Sequence, residues 1–365
     1  MRRVSVRVGK GISDGSTQPR TINLVSLSAG IGGFDRAAML SGANLGVDVR
    51  VVASIDCAVT RRELHEIYRG SGNAKLTVAT IEDVFACNAA VAALTKVGVG
   101  GIIASPTCVH FSRAGNRGGW ALAEPNVTAH FDAAEKLRVN FIVFENSPDI
   151  TPKDWTQIVN CGRRHGFILA FDKTYNALDC KGAPPHSRER RSFIFIRKDA
   201  PKFKKAMKFL KGAEKSLVLP GRGPNAKGAS DLLVGEDEVE EEDWDTSKYR
   251  VEGPLAHYRK PTIAKGRQVS QPSSFRSDRG WSTFDDDVSM TITGSDGSSP
   301  LVLARRRGKP DALRYFTKNE VLAFGSWPRR TLPPMSSTLV REIVGNAIIA
   351  EWGEVVISLA IKAFL

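Results

Sequence analysis

A chain of 365 residues, 42% hydrophobic and 25% charged, has the composition of an ordinary globular protein and is long enough for two domains around a large core. The formal net charge of +13 favours a polyanionic partner, and the positive charge is clustered at Arg163-Arg164, Arg188 to Arg191, Lys202 to Lys211, Arg305-Arg306-Arg307 and Arg329-Arg330, a pattern that predicts nucleic acid. No apolar run approaches the ~20 residues of a membrane span, the basic start lacks the apolar core of a signal peptide, and five scattered cysteines with no CxxC pair speak against a disulfide framework or structural zinc and for a reducing cytosol.

Residues 1–20 mix Gly, Ser, Gln and Arg without periodicity and read as a flexible basic arm. From Thr21 to about Ile196, apolar strands alternate with helical stretches, the α/β pattern of a parallel sheet with crossover helices. The expected strands are 22–27, 49–55, 101–104, 141–144, 167–176 and 192–197, and the expected helices 33–40, 58–68, 89–96, 127–138 and 154–165. Past Lys198 the periodicity weakens. Residues 200–311 hold a lysine cluster, a Gly/Pro/Asn patch from Pro220, an acidic run from Glu236 to Asp245 and a Ser/Arg/Gly-rich stretch, and they read as an irregular small domain. Order returns near Arg314, where Thr317 and Glu320 have capping-box spacing, and a final apolar helix is expected over 343–364.

Three segments carry chemistry. The first is Ser28-Ala29-Gly30-Ile31-Gly32-Gly33-Phe34, a glycine turn between a strand and a helix, where backbone N–H groups can approach a ligand. The next strand ends in Asp56, an acid placed to meet ribose hydroxyls in a doubly wound fold. The second segment is Ser105-Pro106-Thr107-Cys108, which lifts a thiol off a strand end; a small buried hydrophobe is the competing reading of a free cysteine. The third is Glu145-Asn146, a carboxylate at the end of the following strand. The five cysteines and six histidines form no metal-ligating cluster, so no metal is expected.

Taken in order, Ala29-Gly30-Ile31-Gly32-Gly33-Phe34, Pro106-Thr107-Cys108, Phe144-Glu145-Asn146, His186-Ser187-Arg188-Glu189-Arg190 and Gly345-Asn346-Ala347 resemble the motifs of the cytosine-C5 DNA methyltransferase family, and Arg314 to Pro328 resembles the family's ninth motif. The Ser-Pro-x-Cys form, with His110, Phe111 and Gly118-Gly119 nearby, is most similar to phage-borne members. The resemblance implies a Rossmann-like S-adenosylmethionine-dependent methyltransferase sheet with a small irregular target-recognition domain. It divides the chain into a basic arm (1–20), a first catalytic part (21–198), a target-recognition region (199–287) and a C-terminal part returning to the catalytic domain (288–365).

It also implies roles. Cys108 adds to C6 of a flipped-out cytosine, Glu145 hydrogen-bonds or protonates N3, and Arg190, with Arg188 in support, holds O2 and favours the thiolate. S-adenosylmethionine lies across Ser28 to Phe34 with Asp56 and Asn346. Double-stranded DNA is the expected partner of a monomeric, cytoplasmic enzyme in a phage or restriction-modification setting, with Arg276, Arg279 and Trp281 as candidate base contacts. Transfer-RNA methylation and an inactive DNA-binding homologue are the competing readings. The sequence departs from the family pattern at Thr107 and Val109 beside the thiol, at His186 in place of a glutamine, and at Ser54 and Thr80, which stand where the family has acids for the ribose and the adenine.

Overall fold

The computed structural model describes residues 20–68, 73–112, 115–185, 187–223, 230–234, 238–239, 273–276, 280–283, 301–304, 312–329, 332 and 334–365. The basic arm up to residue 19, His186, Arg279 and nearly all of the acidic run lie outside these, as do the side chains of Arg276 and Trp281. The residues divide into two compact units: Met1–Tyr175, Glu189–Leu219 and Ala347–Leu365 form the first, Asn176–Arg188 and Pro220–Asn346 the second.

The first unit alternates strand and helix as the apolar spacing predicts. In chain order it contains β1 (Thr21–Leu27), α1 (Gly33–Leu45), β2 (Asp48–Asp56), α2 (Arg62–Tyr68), β3 (Leu76–Val78), α3 (Ile81–Ala86), α4 (Asn88–Lys96), β4 (Val99–Ala104), α5 (Gly119–Lys136), β5 (Phe141–Asn146), α6 (Pro152–Arg164), β6 (Phe167–Asn176), β7 (Glu189–Arg197) and α7 (Phe203–Ser216). One seven-stranded sheet results, in the order β3-β2-β1-β4-β5-β7-β6. The expectation of a parallel sheet is corrected at one place: β7 runs antiparallel to β5, with Glu145 opposite Ser192 and Phe141 opposite Ile196. Residues 177–188 link β6 to β7 without a crossover α-helix, and β7 comes back in the reversed direction.

Both faces of the sheet are covered, so its strands are apolar throughout. On one face Phe131 of α5 stands edge-on to Phe144 and Phe195, with ring centroids 5.2 Å away in each case. On the other, the indole of Trp352 packs 4.5 Å from the Tyr175 ring and donates to Ser192 Oγ at 3.0 Å. Fully burying one such aromatic stabilises by roughly 1.5–3 kcal/mol, and this packing fixes the strand ends that carry the site.

The second unit contains β8 (Ser273–Arg276) paired antiparallel with β9 (Gly280–Thr283), β10 (Leu301–Ala304) paired with β11 (Ala312–Tyr315), α8 (Lys318–Phe324) and α9 (Ser337–Asn346). The predicted capping box is present: Thr317 Oγ1 accepts from the Glu320 amide while the Glu320 carboxylate accepts from the Thr317 amide at 2.8 Å. That carboxylate also holds Arg314 in a two-pronged pair at 2.7 Å, with both side chains buried. The chain then re-enters the first unit as α10 (Ala350–Phe364). The single helix expected over 343–364 is therefore two, parted at Ala347-Ile348-Ile349.

Two further expectations change. The region from 199 onward is not uniformly irregular, because α7 buries Ala206 and Leu210 in the first unit. Helix α5 begins at Gly119 and carries Pro125 as its seventh residue, past the first turn, so the ring removes one bond of the helix ladder. No helix among the described residues is long and apolar enough to cross a membrane. None of the five cysteines forms a disulfide.

Candidate active site

The sheet order places β1 beside β4, with β2 on one side and β5 on the other. This is the switch point of a doubly wound sheet, where ligands bind outside the carboxyl ends of the strands. The glycine turn leaves β1 at this edge and the Pro-x-Cys turn leaves β4 beside it. Ser105 N–H donates to Leu27 O at 3.4 Å, so the two turns start from paired backbone.

On the thiol side, Glu145 and Arg190 meet beside Ser105, at the start of the turn that carries Cys108. The Glu145 carboxylate accepts from the Ser105 hydroxyl through one oxygen and from Arg190 Nε at 2.9 Å through the other. Asn146 Nδ2 donates to Pro106 O at 2.9 Å, and Asn126 Oδ1 accepts from the Thr107 amide at 3.3 Å. The turn is therefore tied to the end of β5 at two places and to α5 at a third. Cys108 sits on it half-buried, and its carbonyl accepts from the amides of Phe111 and Ser112 at 3.0 and 2.8 Å. Of the two departures beside the thiol, Thr107 enters these bonds through its amide alone and Val109 does not enter them. Arg188 belongs to the second unit, where it is buried and its Nη2 donates to Gly345 O at 2.7 Å, next to Asn346 at the end of α9.

On the glycine side, Gly32 adopts φ +89°, a left-handed conformation that a side chain rarely tolerates. A Cβ on Gly33 would lie 2.6 Å from Ile348 Cγ2, so the returning chain before α10 needs a glycine there. At Gly30 an added Cβ would meet nothing within 4 Å: the turn opens a cradle at this point. Ala29, Ile31 and Phe34 are buried, so within the predicted cofactor segment they pack while Ser28 and Gly30 face the opening.

Asp56 is held more tightly than a free ribose ligand. Its Oδ2 accepts from Gly30 N–H and from Arg61 Nη1, both at 2.9 Å, and its Oδ1 accepts from Ala58 N–H at 2.8 Å and from Arg61 at 3.1 Å. A carboxylate has about four acceptor positions, and all are engaged. In this arrangement Asp56 fastens the turn.

The two departures on this side have structural employment. Ser54, fully buried, donates to Asp35 Oδ2 at 2.5 Å, and the same oxygen accepts from His65 Nε2 at 3.1 Å. Burial pushes the Asp35 carboxyl up, but His65, through its hydrogen bond and charge, and the Ser26 and Ser54 hydroxyls pull it down further, leaving it below its usual value. Asp35 is thus ionised beneath the glycine turn. Thr80 is the N-cap of α3 and accepts from the Asp83 amide at 3.1 Å.

Several of these partners escape sequence reasoning. Ser105 lies in the quoted Ser-Pro-x-Cys segment, but nothing in its type assigns it to Glu145. Asp35, Arg61 and His65 are ordinary residues of helical stretches until the fold brings them under the turn. His130 of α5 supports Ser28: its Nδ1 lies 2.6 Å from Asn126 O and carries the proton there, so Nε2 accepts from the Ser28 hydroxyl at 3.1 Å. Burial pushes the His130 pKa down to about 4, keeping the ring neutral.

A seven-stranded sheet of this order, with a glycine turn after its first strand and a cysteine turn after its fourth, defines a methyltransferase of the Rossmann-like, S-adenosylmethionine-dependent class. The family model for C-5 cytosine-specific DNA methylases matches residues 22–361, and the chain belongs to that family. Its members use S-adenosylmethionine. Among solved structures it is similar to an Entamoeba histolytica methyltransferase, EhMeth (TM-score 0.61, 13% identity, 95% of this chain and 99% of that one). It is also similar to a protein from an E. coli prophage described as a candidate DNA modification methyltransferase (0.60, 16%, 94% and 99%) and to a Spodoptera frugiperda DNMT2 mutant (0.58, 16%, 93% and 99%). At these identities the likeness is one of fold. A search of curated proteins finds no match.

Proposed function

We propose that the chain is a DNA (cytosine-5-)-methyltransferase acting on a flipped-out cytosine through a covalent Cys108–C6 adduct. The observation that carries this reading is the Glu145 carboxylate bridging Ser105 and Arg190 at the edge from which the Cys108 turn departs.

Cytosine C5 is too weak a nucleophile to take a methyl group unaided. Addition of the Cys108 thiolate to C6 forms an S–C6 bond and moves electron density to C5 and N3. Glu145 hydrogen-bonds or protonates N3, which limits the negative charge left on the ring. Arg190 and, by the family pattern, Arg188 hold O2. S-adenosylmethionine, when bound, supplies an electrophilic methyl group to C5. A base then removes the C5 proton; its electron pair restores the C5–C6 double bond, and the S–C6 bond breaks to return the thiolate. The reacting carbons are inaccessible in a base stack, so the nucleotide must leave the duplex.

The cradle at Gly30 and the backbone of Ser28 to Phe34 fit the methionine end of this cofactor, with Asn346 assigned to the pocket by the family pattern. Asp56 holds the turn, and a ribose contact from it requires Arg61 to swing away. Ser54 and Thr80, engaged with Asp35 and Asp83, leave the nucleoside end with fewer acids than the family usually provides.

The charge of +13 suits either nucleic acid, and the recognition region expected over 199–287 favours duplex DNA over transfer RNA. Transfer of a labelled methyl group to duplex DNA and to transfer RNA, measured side by side, tests the choice. The proposal predicts labelled duplex DNA; label confined to transfer RNA contradicts it.

A further inference from the structure

Helix α7 carries five lysines in 14 residues, preceded by Lys202. Lys204, Lys208, Lys211 and Lys215 recur at steps of four, three and four and so form one ridge. Like charges at this spacing destabilise a helix by about 0.2–0.5 kcal/mol per pair, a cost that a merely solvated face does not need. Most described arginines of the first unit carry acid partners, among them Arg36 with Glu351, Arg50 with Asp48, Arg61 with Asp56, Arg164 with Glu124 and Arg191 with Asp172. On α7, Lys211 pairs with Glu214, the helix's own acid, at 2.9 Å, and Lys202 donates to the carbonyls of Phe364 and Leu365. Lys204, Lys205, Lys208 and Lys215 are exposed, and none has a carboxylate partner among the described residues.

The ridge also has a direction. β7 ends level with the start of β5, at the sheet edge far from Glu145. From there α7 runs back for roughly 20 Å at 1.5 Å per residue. Near its end Glu214 accepts from the Asp172 amide at 2.9 Å, and Asp172 is gripped by Arg191, the register partner of Asn146. The lysines thus climb the side of the first unit to the level of the catalytic edge.

We propose that the α7 ridge is a second, sequence-independent contact for duplex DNA, holding the phosphate backbone that flanks the target base. This rests on the DNA reading above. Lysine suits the task as a point charge without base-reading geometry. A membrane surface fits less well, because the helix's apolar face, with Ala206 and Leu210, is buried in the fold and Phe209 is the one large apolar side chain of α7 left exposed.

The test uses the full chain and a Lys204→Gln/Lys205→Gln/Lys208→Gln/Lys215→Gln variant, with the corresponding fourfold Lys→Arg variant as a charge-preserving control. Binding is measured against salt on a short duplex spanning only the target site and on one extended by further helical turns on both sides. On the extended duplex the slope of log K against log salt is expected to flatten by about 0.9 for each phosphate that is no longer neutralised, and the Arg variant should restore it. The rate of methylation of the short duplex should not change. Equal slopes on the extended duplex overturn the proposal, as does an equal loss on both duplexes or a glutamine effect seen only on anionic lipid vesicles. Should the wild type methylate neither duplex, the function reading fails, and the slope comparison alone still judges the ridge.

Discussion

At the β4–β5 end of the sheet edge, Glu145 is gripped by Ser105, from the turn that carries the thiol, and by Arg190 of β7. At the β1–β2 end, the corresponding acids face inward: Asp35 is sealed under the glycine turn with Ser54 and His65, and Asp56 is saturated by Gly30, Ala58 and Arg61. On the thiol side the carboxylate is held by side chains, whereas on the glycine side Asp56 holds backbone N–H groups of its own turns as well as Arg61. The lesson is that one family pattern can be kept where bonds are made and broken and rebuilt where a cofactor is merely held. A covalent step fixes residue type as well as position; binding can be redistributed over several contacts.

The sharpest way to break this comparison is at the thiol. Cys108→Ala should reduce labelled methyl transfer to the no-enzyme level while leaving duplex binding intact, since no other described thiol lies on the turn. Methyl transfer by that variant at even a hundredth of the wild-type rate would remove the distinction. Glu145→Gln keeps the shape and loses the acid that can give N3 its proton, so the single-turnover rate should fall by about 10²–10⁴-fold with DNA affinity little changed. On the glycine side the effects should appear in binding instead. Asp56→Ala deprives Gly30 N–H and Arg61 of their acceptor; a hydrogen bond to a charged group is worth about 1.5–3 kcal/mol, so calorimetry should show S-adenosylmethionine binding roughly 10- to 100-fold weaker. An effect of Asp56→Ala on the rate at saturating cofactor, with unchanged affinity, would count against its role as a fastener.

A further expected effect, on stability and not on activity, concerns pH. His130 is held at about 4 in the folded protein against an ordinary 6.5, so the unfolded chain takes up the proton first as pH falls. The stability this group contributes is complete above pH 6.5 and is lost as pH drops toward 4, by roughly 3 kcal/mol at most. Urea unfolding at several pH values should show that decline, and His130→Asn should flatten it. A decline of the same size in the variant would assign it to other groups.

Much of this architecture is legible in the chain. Strand runs such as Phe141 to Phe144 are apolar throughout because both faces of the sheet are covered, and Thr317 and Glu320 announce their cap by spacing alone. Helix α7 is hidden because lysines outnumber the apolar stripe of Phe203, Ala206 and Leu210 that seats it. The break before α10 is hidden because Ala347-Ile348-Ile349 is as apolar as the helices on either side. At the site, Cys108, Glu145 and Arg190 can be read from motif and strand end. Asp35, His65 and His130 cannot: their partners lie 19 to 102 residues away in sequence, and only the closed fold brings them together.

The central claim is that Cys108 attacks C6 of a cytosine while the rest of the edge stabilises the ring. Duplex DNA carrying 5-fluorocytosine at the target position tests it directly, because fluorine cannot leave as a proton does and the adduct cannot resolve. Wild-type protein with S-adenosylmethionine should form a denaturant-resistant complex whose mass equals protein plus methylated duplex, and Cys108→Ala should form none. Active wild-type protein that yields no such complex, or a Cys108→Ala variant that does, would contradict the account.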